Sequence, residues 1–108
     1  MPRYLSMFRY SPEGAKGFLK EKAAAREAAS RKAFESVGGK VEVFYWATSG
    51  EYTGIVIAEL PDAASGGAIM ALVNASGAFS EFKIVELLTT SEMDRALGKS
   101  MAFRPPGA

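Results

Sequence analysis

The sequence contains no cysteine and no histidine. The first absence removes disulfides, thiolate nucleophiles and zinc–thiolate sites; the second removes the commonest metal and haem ligand and the usual general base. Haem held by a protein histidine and acyl transfer through a Ser–His pair are excluded on the same ground. Carboxylates are the remaining metal ligands, and no Asp or Glu pair clusters at ligand spacing, so neither metal nor cofactor is expected. An excess of one charge is missing too. Thirteen Lys and Arg against twelve Asp and Glu leave a net charge of +1, too balanced to attract nucleic acid or an anionic membrane by bulk field. No apolar run is long enough to cross a bilayer, and no charged n-region leads into an apolar h-region. The expectation is one soluble, cytoplasmic domain with no nucleic-acid or membrane partner. At 108 residues such a domain buries about two-thirds of its unfolded surface, enough for one thin core.

What is present reads as alternating strands and helices. Pro2 to Tyr10 is aromatic-rich and runs into Ser11-Pro12, an N-cap followed by the first helical residue. High helix propensity continues to Val37, and Gly38-Gly39 supplies the stop. Ala15, Phe18, Leu19, Ala25, Ala29, Ala33, Phe34 and Val37 approximate one apolar stripe, with Lys22 and Arg26 beside it. Val41–Thr48 and Tyr52–Glu59 are strands joined by a tight turn at Ser49-Gly50-Glu51. A second helix follows through Ala75, capped by Asp62 or by Ser65, with Gly66-Gly67 weakening its start. Phe79–Leu88 is a fourth strand. Thr89 and Glu92 form a capping box for a short helix to about Gly98, and a mobile tail begins at Lys99. This order predicts an α+β, ferredoxin-like βαββαβ two-layer sandwich with an antiparallel sheet, forming a single domain over residues 1–98.

The strands are apolar on both faces. Tyr4, Phe8 and Tyr10 oppose Leu5 and Met7; Val41, Val43 and Tyr45 oppose Phe44 and Trp46; Ile55 and Ile57 oppose Val56 and Ala58. Helices cover one face of such a sheet, and the other should be polar. An apolar second face needs a cover, and the economical one is a second copy, giving a homodimer or higher oligomer through the sheet face. The alternative is that the last helix and tail fold back over it.

Met1-Pro2-Arg3-Tyr4-Leu5, Arg9-Tyr10-Ser11-Pro12-Glu13-Gly14-Ala15-Lys16-Gly17, Glu35 to Glu42, Gly50-Glu51-Tyr52 and Leu88-Thr89-Thr90-Ser91-Glu92-Met93 together resemble the GYD domain family, to about Leu97. The Gly-x-Tyr-Asp element that names the family has Thr53 here in place of its Asp. The resemblance implies a dimeric α+β barrel, in which paired ferredoxin-like sheets enclose a barrel and a ligand cleft often lies between sheet and helices. The wider superfamily includes cofactor-free monooxygenases, haem-dependent enzymes and ligand sensors. The family itself brings no common activity.

The candidate chemistry is local. Glu51 as general base and Tyr52 as hydrogen-bond donor form a possible catalytic pair, or else a plain hairpin. Arg9, Tyr10, Lys16 and Arg26 form a potential polar cluster for an anionic ligand, or else Lys22 and Arg26 snorkel along the helix edge. Trp46, with Phe44 and Phe8, supplies an aromatic wall for a planar molecule or the core of an interface. The expected ligand-binding set is therefore Arg9, Tyr10, Arg26 and Trp46. The expected function is binding a small aromatic or anionic organic molecule. A cofactor-independent monooxygenase or isomerase and a structural oligomerisation module are the alternatives.

Overall fold

The computed structural model describes every residue from Met1 to Ala108. Its elements are β1 (Arg3–Tyr10), α1 (Pro12–Glu21), α2 (Ala23–Ser36), β2 (Lys40–Trp46), β3 (Gly54–Glu59), α3 (Ala63–Ala75), β4 (Phe79–Leu87) and α4 (Thr90–Leu97). The sheet order is β2-β3-β1-β4, and each neighbouring pair is antiparallel. Interleaved βαβ units of this order make the expected ferredoxin-like two-layer fold. No helix is long and apolar enough to cross a membrane.

The caps follow from the side chains placed at the element starts. Ser11 Oγ accepts from the Gly14 amide at 3.1 Å and donates to the Gly77 carbonyl at 2.7 Å, tying α1 to the turn before β4. Asp62, rather than Ser65, caps α3: its carboxylate accepts from the Ser65 amide at 2.9 Å and the Ser65 hydroxyl at 2.8 Å. These bonds hold the Asp62 carboxyl below its usual pKa. Thr89 and Glu92 close the expected capping box on α4.

Two expectations about the elements are corrected. The helix from Pro12 does not continue to Val37; it breaks at Lys22, whose φ of 76° and ψ of 172° lie in a region reserved almost entirely for glycine. Local propensity contains no breaker there, so the cause is tertiary. The break lets α1 swing Phe18 between Tyr10, at 5.3 Å between ring centres, and Trp46, at 4.8 Å, while α2 buries Phe34 against the sheet. It also removes Leu19 from the supposed apolar stripe and leaves it 72% exposed. The second correction concerns β2, where a bulge between Val41 and Val43 shifts the register against β3. Val41 therefore joins Phe44 on the helix-covered face, while Val43 and Tyr45 pair with Ile57 and Ile55 on the other.

The core lies between helices and sheet and is built from Tyr4, Phe8, Phe34, Val41, Phe44, Val56, Ala58, Leu60 and Ile69. Phe8 is its hub, 5.4 to 6.1 Å from the rings of Tyr10, Phe44, Phe79 and Trp46. Gly54 makes room for it: a Cβ there would lie 2.6 Å from the Phe8 ring. Phe8 and Phe44 thus belong to the chain's own core, with Trp46 packed against it, rather than to an interface between copies.

The opposite face carries Leu5, Met7, Val43, Tyr45, Ile55, Ile57 and Val85 across all four strands. Neither α4 nor the residues after it cover this face. Tyr45 and Val85 are exposed, and so are Met93, Leu97, Met101 and Phe103. The chain exposes 7355 Å², against roughly 5,800 Å² for a compact monomer of this mass. Its radius of gyration is 16.6 Å, against about 13 Å expected for this length.

Lys22→Gly should raise stability by about 1 kcal/mol, because glycine adopts the Lys22 backbone angles without strain. Urea denaturation measures this. A loss of about 1 kcal/mol, as for glycine inside a continuous helix, would mean that α1 and α2 are one helix.

Candidate functional site

On the helix-covered face of β1 the residues run Tyr4, Ser6, Phe8, Tyr10, because strand side chains alternate. Ser6 is the one polar residue buried in the core, 1% exposed, and its Oγ has no hydrogen-bond partner. Ser6 is among the residues around a hollow of about 100 Å³ between the sheet and the helices, its oxygen itself sealed from that space. Phe8, Phe79 and Phe82 form aromatic walls from the sheet side, and Ile69 and Val73 of α3 form the far side. Small residues on α2, Ala29, Ser30 and Ala33, leave the space open. Ten of its thirteen lining residues are hydrophobic, and Tyr10, Arg26 and Ser30 bring the polar groups.

Tyr10 and Arg26 line this hollow and also a larger, more open groove of about 470 Å³. The groove's other walls are α1, through Glu13, Gly14, Gly17, Phe18 and Glu21, and the turn Ser76-Gly77-Ala78. The two residues stand at the junction. Burial pushes the Tyr10 phenol above its ordinary pKa, and the Arg26 guanidinium opposes that shift. The phenol is thus a neutral donor near pH 7. Arg26 holds Glu21 through a single 3.4 Å contact between Nη1 and Oε2, a poor geometry compared with a bidentate pair.

The remaining expected site residues lie elsewhere. Trp46 stacks on Phe18 and meets Phe8 edge-on at 5.8 Å, and it lines neither hollow. Arg9 donates to Ser80 Oγ at 2.9 Å and to the Glu51 carbonyl at 3.1 Å, and it lies 3.5 Å from Glu81. Glu51 is exposed on the β2–β3 turn, where Gly50 takes φ 102°. Lys83 Nζ sits 5.9 Å from the Tyr52 ring centre, and its ammonium is held above its usual pKa first by Tyr52 and then by Glu81. Thr53 is held by its backbone, donating to the Phe8 carbonyl at 2.7 Å and accepting from the Ala47 amide at 2.8 Å. The fold thus brings Tyr10 and Arg26 together and sets Arg9, Glu51 and Tyr52 apart from them. No three carboxylates gather to hold a metal ion.

Sequence reasoning passed over Ser6. Its signal was present: a lone hydroxyl at a position whose neighbours two residues away on each side are aromatic. Ser6→Ala should stabilise the ligand-free protein by about 1 kcal/mol, since an unpaired buried hydroxyl costs about that much or more. Equilibrium unfolding tests it, and a loss of similar size would show that the hydroxyl has a partner in the folded chain.

No curated protein matches the chain. A family model described as the GYD domain matches residues 4–97, from the second residue of β1 to the last residue of α4, which takes in the sheet except Arg3, every helix, and both walls of the hollow. The chain belongs to the GYD domain family.

Proposed function

We propose that this protein is a homodimer, paired through the open sheet face, that binds a small aromatic or anionic organic molecule between sheet and helices. The observation that carries the binding assignment is the aromatic-lined hollow between sheet and helices, bordered by Tyr10 and Arg26 and lying beside the unpartnered Ser6 hydroxyl. A core evolved only for packing has no use for such a group, because an alanine there avoids the desolvation cost. Ligand sites have this character: mostly apolar walls and a few placed polar groups.

Pairing is supported by the apolar second face. A compact monomer of this mass would expose roughly 1,500 Å² less, and a standard interface covers about 800 Å² per partner. Ion pairs frame the apolar strip at either end. Arg3 grips Glu42 at 2.7 and 3.2 Å, and Glu81 pairs with both Arg9 and Lys83.

Binding is favoured over oxygenase or isomerase chemistry through Glu51 and Tyr52, because neither residue lines any of the hollows in the subunit. It is favoured over a purely structural module because a module needs no hollow. Phenol and benzoate, titrated against isotope-labelled protein, are expected to shift the amides of Ser6, Phe8, Ala29 and Val73. Ala29→Leu grows into the hollow at a helix position that accepts leucine well, and it should abolish those shifts. Absence of shifts at these residues, or shifts unchanged by Ala29→Leu, contradicts the assignment.

A further inference from the structure

We infer that α1 is a hinged lid, pivoting at Lys22, that undocks as a unit to admit a guest to the hollow. The inference rests on the binding site proposed above and adds how that site opens.

The need for movement comes from size. The hollow is about 100 Å³, and one benzene occupies an apolar cavity of about 150 Å³. A ring therefore enters only when a wall moves. Tyr10 and Arg26 are the two residues that line both the hollow and the outer groove, so passage between the two spaces runs past them. Each is held from α1. Phe18 stacks on Tyr10 at 5.3 Å between ring centres, and Glu21 contacts Arg26 at 3.4 Å. Undocking α1 releases both residues at once.

The first turn of α1 is firmly pinned. The Ser11 amide donates to the Ala78 carbonyl at 2.9 Å and the Ser11 hydroxyl to the Gly77 carbonyl at 2.7 Å. Gly14 lies so close to Ala78 that a Cβ would overlap its carbonyl oxygen. Beyond Gly14 the attachment thins. A Cβ at Gly17 would meet no atom within 4 Å, Leu19 is exposed, and no residue of the helix is buried.

The other end of α1 is the hinge. Lys22 holds φ 76°, and α2 begins there without a side-chain cap, its first backbone bond, from the Arg26 amide to the Lys22 carbonyl, stretched to 3.4 Å. A lysine keeps such an angle only while its surroundings impose it, and here docked α1 does so. Undocking lets Lys22 relax, which offsets part of the lost Phe18 stack. A ten-residue helix is too short to persist alone in water, so the undocked segment also loses its amide protection.

Amide hydrogen exchange on the full-length, ligand-free protein reads the hinge. The amides of Phe18, Leu19, Lys20 and Glu21 should exchange together, about tenfold or more faster than those of Ala33 and Phe34 in α2, and with a weaker dependence on urea, because a local opening exposes less surface. Lys22→Gly removes the strain that favours opening and should slow α1 exchange about fivefold. Glu21→Gln removes the tie to Arg26 and should speed it about twofold. The association rate of phenol, from NMR line shapes, should change in the same directions by similar factors. Amides of α1 as protected as those of α2, or phenol association unchanged in both variants, overturns the lid and leaves the site standing. Phenol that fails to shift Ser6, Phe8, Ala29 and Val73 overturns the binding site, and joint fast exchange of α1 then still supports the hinge.

Discussion

Everything in this molecule depends on a four-stranded sheet whose side chains are apolar on both faces while its helices cover only one. The helix-covered face is closed by rings, with Phe8 at the centre and Gly54 flat beneath it. The other face presents Leu5, Met7, Ile55, Ile57 and Tyr45 to the outside. The last helix and the residues after it leave their own apolar side chains, Met93, Leu97, Met101 and Phe103, exposed. The exposed surface and radius of gyration both exceed those of a compact chain of this size, and the exposed residues after α4 contribute to both.

The hollow is a consequence of how the helices meet the covered face. Broken at Lys22, the first helical segment divides its labour. One half carries Phe18 to the Tyr10–Trp46 cluster and forms a wall of the outer groove; the other lies along the sheet with small side chains, Ala29, Ser30 and Ala33, toward the hollow. Leucines at those positions would fill the hollow. The strained backbone at Lys22 and the unpaired hydroxyl at Ser6 are both departures from best stability: Lys22 divides the helices that wall the two spaces, and Ser6 is among the residues around the hollow. Departures of that kind concentrate at functional sites.

Much of the fold was legible because it is written in short-range chemistry. Ser11-Pro12, Thr89 with Glu92, and Gly38-Gly39 mark element ends through hydrogen bonds made within a few residues, and strand alternation marks the two faces. The break at Lys22 was not legible, since nothing in its neighbours disfavours helix and its cause, the Tyr10–Phe18–Trp46 stack, joins residues up to 36 positions apart. The bulge in β2 was hidden for a similar reason: Val41 and Val43 are equally apolar, so pattern alone could not say which one turns inward. Of the candidate site, Tyr10 and Arg26 were found through their chemistry and their place at the mouth of the first helix. Ser6 escaped because a serine in a strand is ordinary until its burial and lack of a partner are known.

The claim most exposed to test is that the open sheet face is covered by a second copy of the chain. Sedimentation velocity at micromolar concentration, on the wild type and on Ile57→Lys, addresses it directly. Ile57 lies mid-strand on that face opposite Leu5 and Val43, so a lysine there leaves the subunit's own core untouched. The account predicts a dimer for the wild type and a folded monomer for the variant. A wild type that sediments as a monomer, with Ile57→Lys indistinguishable from it, would contradict the account.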